Sequence, residues 1–168
     1  MMFKKIAIAA PLAVLALSSS MAFAAEEEVR SSINISATIP SKVFHAQPVN
    51  PDFGNDEQMA YNLVDGTLSA LRAAYDIRHT NGSVGAYVEG GPQPLFNGAN
   101  NIALTYTFNG ATLTGASQEV VGDAESNGGM RADLVIAAAK PTATQTGLYT
   151  ANPVVIFDAI PRVPPVTN

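Results

Sequence analysis

The stretch V-R-S-S-I-N-I-S-A-T-I-P, Val29 to Pro40, sets the pattern by which the rest of the chain is read. Its odd positions are Val29, Ser31, Ile33, Ile35, Ala37 and Ile39; its even positions are Arg30, Ser32, Asn34, Ser36 and Thr38. Side chains of an extended strand alternate between two faces, so this spacing predicts a β-strand with one apolar face. Pro40 closes the run, because proline has no N–H to give to a ladder. A strand this regular needs a groove to lie in. Whose groove it fills decides what the chain does.

Upstream, residues 1–24 have the three parts of a secretory signal peptide: Lys4 and Lys5, the apolar run Ile6 to Leu17, and the small-x-small site Ala22-Phe23-Ala24. The apolar run gives way to Ser18-Ser19-Ser20 before reaching the ~18 residues that a membrane span requires. Export with cleavage is the reading. Glu26-Glu27-Glu28 then forms a solvated start, since three successive carboxylates on an extended segment do not converge on a cation.

The bulk numbers agree with a folded β domain. The 168 residues are 47% hydrophobic with a mean hydropathy of +0.14, enough for one domain with a real core. Thirteen glycines and eleven prolines favour short strands and turns over long helices. The net charge of −5 becomes more negative once Lys4 and Lys5 are removed. An acidic chain without a basic cluster is a poor binder of nucleic acid. With no cysteine, stability cannot come from disulfides, and thiol chemistry and thiolate metal sites are excluded.

Down the chain, Ser41 to Asn50 is a short apolar piece closed by Pro48, and Gln58 to Ala73 reads as strand with a turn at Asp65-Gly66. Asn81-Gly82 separates two alternating runs, Ala73–His79 and Ser83–Glu89, and predicts a hairpin, because both residues tolerate positive φ. Tyr75, Ile77 and His79 share one face; Val84, Ala86 and Val88 share another. Ile102, Leu104, Tyr106 and Phe108 line one side of the next strand, which Asn109-Gly110 turns back as a second hairpin. Gly115 to Met130 reads as a flexible loop with Val120-Val121 as an edge piece. Ala132–Ala139 and Leu148–Ile160 are the last strands, the latter broken by Pro153, and a proline-rich tail follows. About seven short strands at this spacing predict an all-β fold, an antiparallel β-sandwich.

No catalytic constellation emerges: there is no G-x-S-x-G elbow and no Ser-x-x-Lys pair. His45 and His79 lack HxH or HxxxH spacing and read as sheet or loop residues rather than metal ligands. Asp123 and Glu125 read as a solvated surface. The sequence therefore assigns no catalytic, cofactor-binding or metal residues and no cofactor, and it points away from an enzyme.

Taken together, these residues resemble a major pilin of the alternate chaperone–usher class, the family of colonisation-factor fimbriae and the cable pilus. The likeness rests on I-N-I-S-A-T-I-P (Ile33–Pro40), Y-D-I-R-H-T-N (Tyr75–Asn81), I-A-L-T-Y-T-F-N-G (Ile102–Gly110), L-V-I-A-A-A-K-P (Leu134–Pro141), and T-G-L-Y-T with V-V-I-F (Thr146–Phe157). The proline-rich tail departs from the family pattern. The resemblance implies an immunoglobulin-like sandwich that lacks one strand and is completed by a neighbour's N-terminal extension. Domains then run 1–24 signal peptide, 25–40 donor-strand extension and 41–168 pilin sandwich. Val29, Ser31, Ile33, Ile35, Ala37 and Ile39 are the donor-strand positions that meet the next subunit. Partners implied are identical subunits head to tail, a periplasmic chaperone, an outer-membrane usher and a tip adhesin subunit, in an adhesive fimbria at the bacterial cell surface. The alternative from another class is a monomeric secreted β-sandwich that binds carbohydrate or protein, with Val29–Ile39 packed in its own sheet.

Overall fold

The computed structural model describes Ala37 and residues 43–163. The signal peptide, the donor-strand positions other than Ala37, and residues 164–168 of the tail lie outside the described residues. Ala37 itself is exposed and belongs to no strand or helix.

In chain order the first strands are β1 (Phe44–Pro48), β2 (Tyr61–Asn62), β3 (Thr67–Leu68), β4 (Leu71–His79), β5 (Gly82–Val88) and β6 (Leu95–Phe96). There follow β7 (Asn101–Ile102), β8 (Leu104–Phe108), β9 (Ala111–Thr112) and β10 (Gln118–Val121). A short helix α1 (Asp123–Gly128) precedes β11 (Met130–Ala138) and β12 (Val155–Pro161). One sheet has the order β1-β4-β11-β8-β9 and the second β10-β5-β12, while β2-β3 and β6-β7 form two-stranded ladders at the ends. Every ladder among them is antiparallel. The antiparallel sandwich expected from period-two spacing is the observed fold.

The alternation decides which faces meet. In β4, Ala73, Ile77 and His79 are buried while Arg72, Asp76 and Arg78 are exposed. In β11, Ala132, Leu134 and Ile136 face inward and Arg131 and Asp133 outward. Leu104, Tyr106 and Phe108 complete the inner face of the first sheet, and Val84, Ala86 and Val88 supply the second. Tyr106 carries its hydroxyl into this apolar layer and donates it to the Gln93 carbonyl at 2.8 Å. Burial pushes that phenol up to about 12.

The two Asn-Gly pairs do different things. Asn109 and Gly110 have φ of 49° and 82°, the left-handed pair that a two-residue hairpin needs, and they join Phe108 to its partner Ala111. Asn81-Gly82 is not a hairpin: β4 lies in the first sheet and β5 in the second, so the chain changes layers there. Two features hold this corner. Ser126 of α1 is fully buried, and its hydroxyl donates to the Gly82 carbonyl at 2.6 Å. The last strand also crosses so close that a Cβ at Gly82 would collide with the Ile160 carbonyl and lie 2.7 Å from the Arg162 nitrogen. Glycine stands there to let a backbone pass, not to supply a turn.

Three further expectations are refined. Asp65-Gly66 does turn the chain, closing the small β2-β3 ladder, but β4 begins at Leu71. The segment 115–130 is not a flexible loop: Gln118–Val121 is an edge strand and Asp123–Gly128 a helix whose Ser126 is buried. The last strand begins only at Val155, past Pro153, and Leu148 is exposed and outside it.

Gly82→Ala should lower the urea unfolding midpoint, by about 1–3 kcal/mol of stability, because an added methyl must push β12 aside. An unchanged midpoint would show that β12 does not pass that closely.

Candidate functional site

The two sheets close over the core unevenly. At one margin the layers are tied together: Leu113 extends the β8–β9 pairing by donating its N–H to the Tyr106 carbonyl at 2.8 Å, and across to the second sheet Val88 donates to the Thr114 carbonyl at 2.8 Å and Asn109 Nδ2 to the Val120 carbonyl at 2.8 Å. The chain thus runs from β8 and β9 straight across to β10. The other margin lies between β1, the last strand of the first sheet, and β12, the last strand of the second. Among the described residues no strand pairs with the outer edge of either.

Burial along β12 shows what is missing. In its ladder with β5, Val155 stands opposite Val88, Phe157 opposite Ala86 and Ala159 opposite Val84. Residues directly opposite one another share a face, so Val155, Phe157 and Ala159 all point toward the core. Val84, Ala86 and Val88 are each 0% exposed. Their partners on β12 are not: Val155 and Phe157 are only half-buried, and Ala159 is exposed. β1 has the same character. Phe44 and Ala46 pair with the buried His79 and Ile77, yet they stay half-buried. Along the seam between these two edge strands the inward-facing rows stay partly open, beside a wholly buried row on β5.

The floor of the seam is aromatic. Phe157 reaches across the sandwich to Tyr75 of β4 and Phe108 of β8, with ring centroids 5.3 Å and 4.9 Å apart. Tyr75 also meets Phe108 edge-on at 5.8 Å, and Phe53 at 6.4 Å. Such offset and edge-on pairs are each worth about 0.5–1.5 kcal/mol beyond area burial. They keep β12 seated on the core although it has a neighbour on one side only. Desolvation in this cluster raises the Tyr75 phenol.

The far end of β12 is pinned by charge. Arg162, one residue past the strand, grips Asp123 with two bonds of 2.5 and 2.6 Å and gives its backbone N–H to the Asn81 carbonyl at 2.8 Å. The hydrogen bonds from Arg162 hold the Asp123 carboxyl below its usual 3.8. Asp123, read from sequence as a solvated acid, is therefore a clamp between α1 and the end of β12.

The histidines do not converge. His79 faces the core, with Nδ1 2.9 Å from the Ser83 carbonyl and its ring edge-on to Phe44. His45 follows Phe44 in β1 and so faces the opposite side of the sheet. Among the described residues no three His, Cys, Asp or Glu side chains come together to hold a metal.

The sequence reading singled out the N-terminal run and did not mark the open inner row of β12. Val155, Ile156, Phe157, Ala159 and Ile160 are apolar on both faces of β12, so no alternation marks an inner row. The available signal was the apolar run Val154–Phe157 that follows Pro153.

Comparison with known proteins gives a consistent set of likenesses. The model of a family described as the CS1 type fimbrial major subunit matches residues 29–158, from the first residue of the N-terminal run into β12. No curated protein matches the sequence. Among solved structures, the CooA pilin subunit from enterotoxigenic Escherichia coli is similar in fold, with a TM-score of 0.50 and 16% identity over 67% of this chain and 86% of that one.

The Asp123 clamp has a defined pH signature. Its folded-state pKa is depressed, so its stabilisation is present above the unfolded value of 3.8 and is lost as pH falls through the folded one. Asp123→Asn should lower Tm at neutral pH, and the gap to the parent chain should close as pH drops below 3.8. A gap that persists in acid would assign the effect to packing rather than charge.

Proposed function

The chain belongs to the family of CS1-type fimbrial major subunits, and from that premise we propose that Val29–Ile39 is the strand that fills the seam between β1 and β12 of the next copy. Membership makes the protein a structural component of a bacterial surface fimbria, exported to the cell surface, where it polymerises with other subunits. Its family role is structural rather than catalytic. A monomeric binding module, with the N-terminal run in its own sheet, is the less favoured reading.

One observation carries the proposal: the inner row of β12 is half-covered beside a row on β5 that is wholly buried. An added strand supplies ladder bonds to the free edge and sets alternate side chains into the uncovered layer, the strand-addition mode of recognition. The run Val29, Ser31, Ile33, Ile35, Ala37, Ile39 has the required period of two and is apolar at five of these six positions. It pairs antiparallel to β12, in keeping with every other ladder in the fold and with the slightly greater stability of antiparallel pairing.

Physics also accounts for the helpers. Before it is filled, the seam exposes an unpaired edge and an apolar row, which is an aggregation hazard. A periplasmic chaperone that lends a strand, an outer-membrane usher that exchanges it, and a tip adhesin subunit at the end of the filament complete the reading. The contact is heterologous, the strand of one copy in the seam of another, so it propagates as an open filament.

Ile35→Asp should abolish assembly, because a carboxylate cannot be desolvated cheaply in an apolar layer. Size-exclusion chromatography with thermal melting checks this: the parent chain should give heat-resistant oligomers and the variant none. In the converse experiment, grafting Ile33–Ile39 to the C-terminus through a flexible linker should yield a stable monomer. Normal filaments from Ile35→Asp would overturn the donor-strand assignment.

A further inference from the structure

Two large apolar side chains stand almost entirely in water: Leu63 is 89% exposed and Val64 96%. They sit at the tip of the β2-β3 ladder, in a turn that is held from within. Asn62 Oδ1 accepts the Val64 N–H at 2.9 Å, the Asn62 carbonyl accepts the Gly66 N–H at 2.8 Å, and Asp65 Oδ1 accepts the Thr67 N–H at 2.9 Å. A tip so ordered presents its apolar pair without a further cost of ordering when something covers it.

The strand directions locate this tip. β4 begins at Leu71, three residues after β3, and Leu71 pairs with Ile136 near the end of β11. β4 ends at His79, and β5 begins at Gly82 around the corner and ends at Val88 opposite Val155. The start of β4, the end of β5 and the start of β12 therefore share one pole with the β2-β3 ladder. Phe44, where the chain enters the described body, pairs with His79 at the opposite pole.

We propose that the Leu63–Val64 pole is the seat of the opposite, Phe44-bearing pole of a second copy of this chain. The inference rests on the donor-strand reading and deepens it. A donor antiparallel to β12 ends, at Ile39, beside the start of β12, on the Leu63–Val64 pole. Between Ile39 and Phe44 lie four residues, so the two Cα atoms can be at most ~18 Å apart. The Phe44 pole of the giving subunit is thus held against the Leu63–Val64 pole of the receiving one. The same pole carries the exposed Val154 and, two residues from the bridge between Phe96 and Thr150, the exposed Leu148.

The chain has no cysteine, so single cysteines report cleanly. Val64→Cys and, separately, Leu63→Cys would be placed in the full chain, with Asp133→Cys on the outer face of the first sheet as reference. Maleimide labelling rates would be compared between assembled filaments and the same chains carrying Ile35→Asp, which the donor-strand reading leaves unassembled. Labelling at positions 63 and 64 should fall several-fold on assembly while that at 133 holds steady. Equal rates in filaments and unassembled chains, or equal protection at all three positions, would overturn the pole contact and leave the donor strand standing. Normal filaments from the Ile35→Asp chains would instead overturn the donor strand, and the pole contact with it.

Discussion

A β-strand satisfies its backbone on both sides only with two neighbours, and among the described residues β12 has one. Everything distinctive about this sandwich follows from that constraint. The core is finished at the margin where β8, β9 and β10 meet and unfinished where β1 faces β12. A monomer ordinarily closes, covers or blunts such an edge. Here the edge stays open and its inner row stays apolar, the combination on which the proposed strand addition rests.

An open edge must still hold its shape. The rings of Tyr75, Phe108 and Phe157 bind β12 to the opposite sheet, and Arg162 with Asp123 fixes its far end. Ser117 and Asp158 add a bond on the outer face, at 2.9 Å, over Gly85, where a Cβ would strike both side chains. β12 is anchored from its inner face, its outer face and its end, while one edge is left free. For the proposed strand addition this is preorganisation in the usual thermodynamic sense: β12 is already in place, and an added strand would carry most of the ordering cost.

Much of this was legible in the sequence. Period-two spacing fixed the inner faces of β4, β8 and β11, where one side meets the core and the other meets water. It failed for β12, where Ile156 and Ile160 on the outer face flank Asp158, so Val154-Val155-Ile156-Phe157 announces a strand without announcing a face. Turn chemistry was legible only locally. Asn109-Gly110 and Asn81-Gly82 have the same two residues, but the second is overruled by a buried serine 45 residues downstream of Asn81 and by the passage of Ile160. Those contacts are long-range, and no window of sequence contains them. The proposed donor positions were marked by sequence alone, since all of them but Ala37 lie outside the described residues; the open row of β12 came from the structure alone.

The bond from Asn109 Nδ2 to the Val120 carbonyl, which ties the hairpin to β10, also bears on chemical ageing. Asn-Gly is the dipeptide most prone to deamidation, in which the glycine nitrogen attacks the asparagine Cγ, expels ammonia and leaves a succinimide that hydrolyses to aspartate or isoaspartate. Holding the carboxamide against Val120 restrains the rotation that brings Cγ to the Gly110 nitrogen. Asn97, before Gly98, is restrained similarly, its Oδ1 accepting from the Asn100 N–H at 2.7 Å. These side-chain bonds therefore slow a chemical change as well as holding two turns.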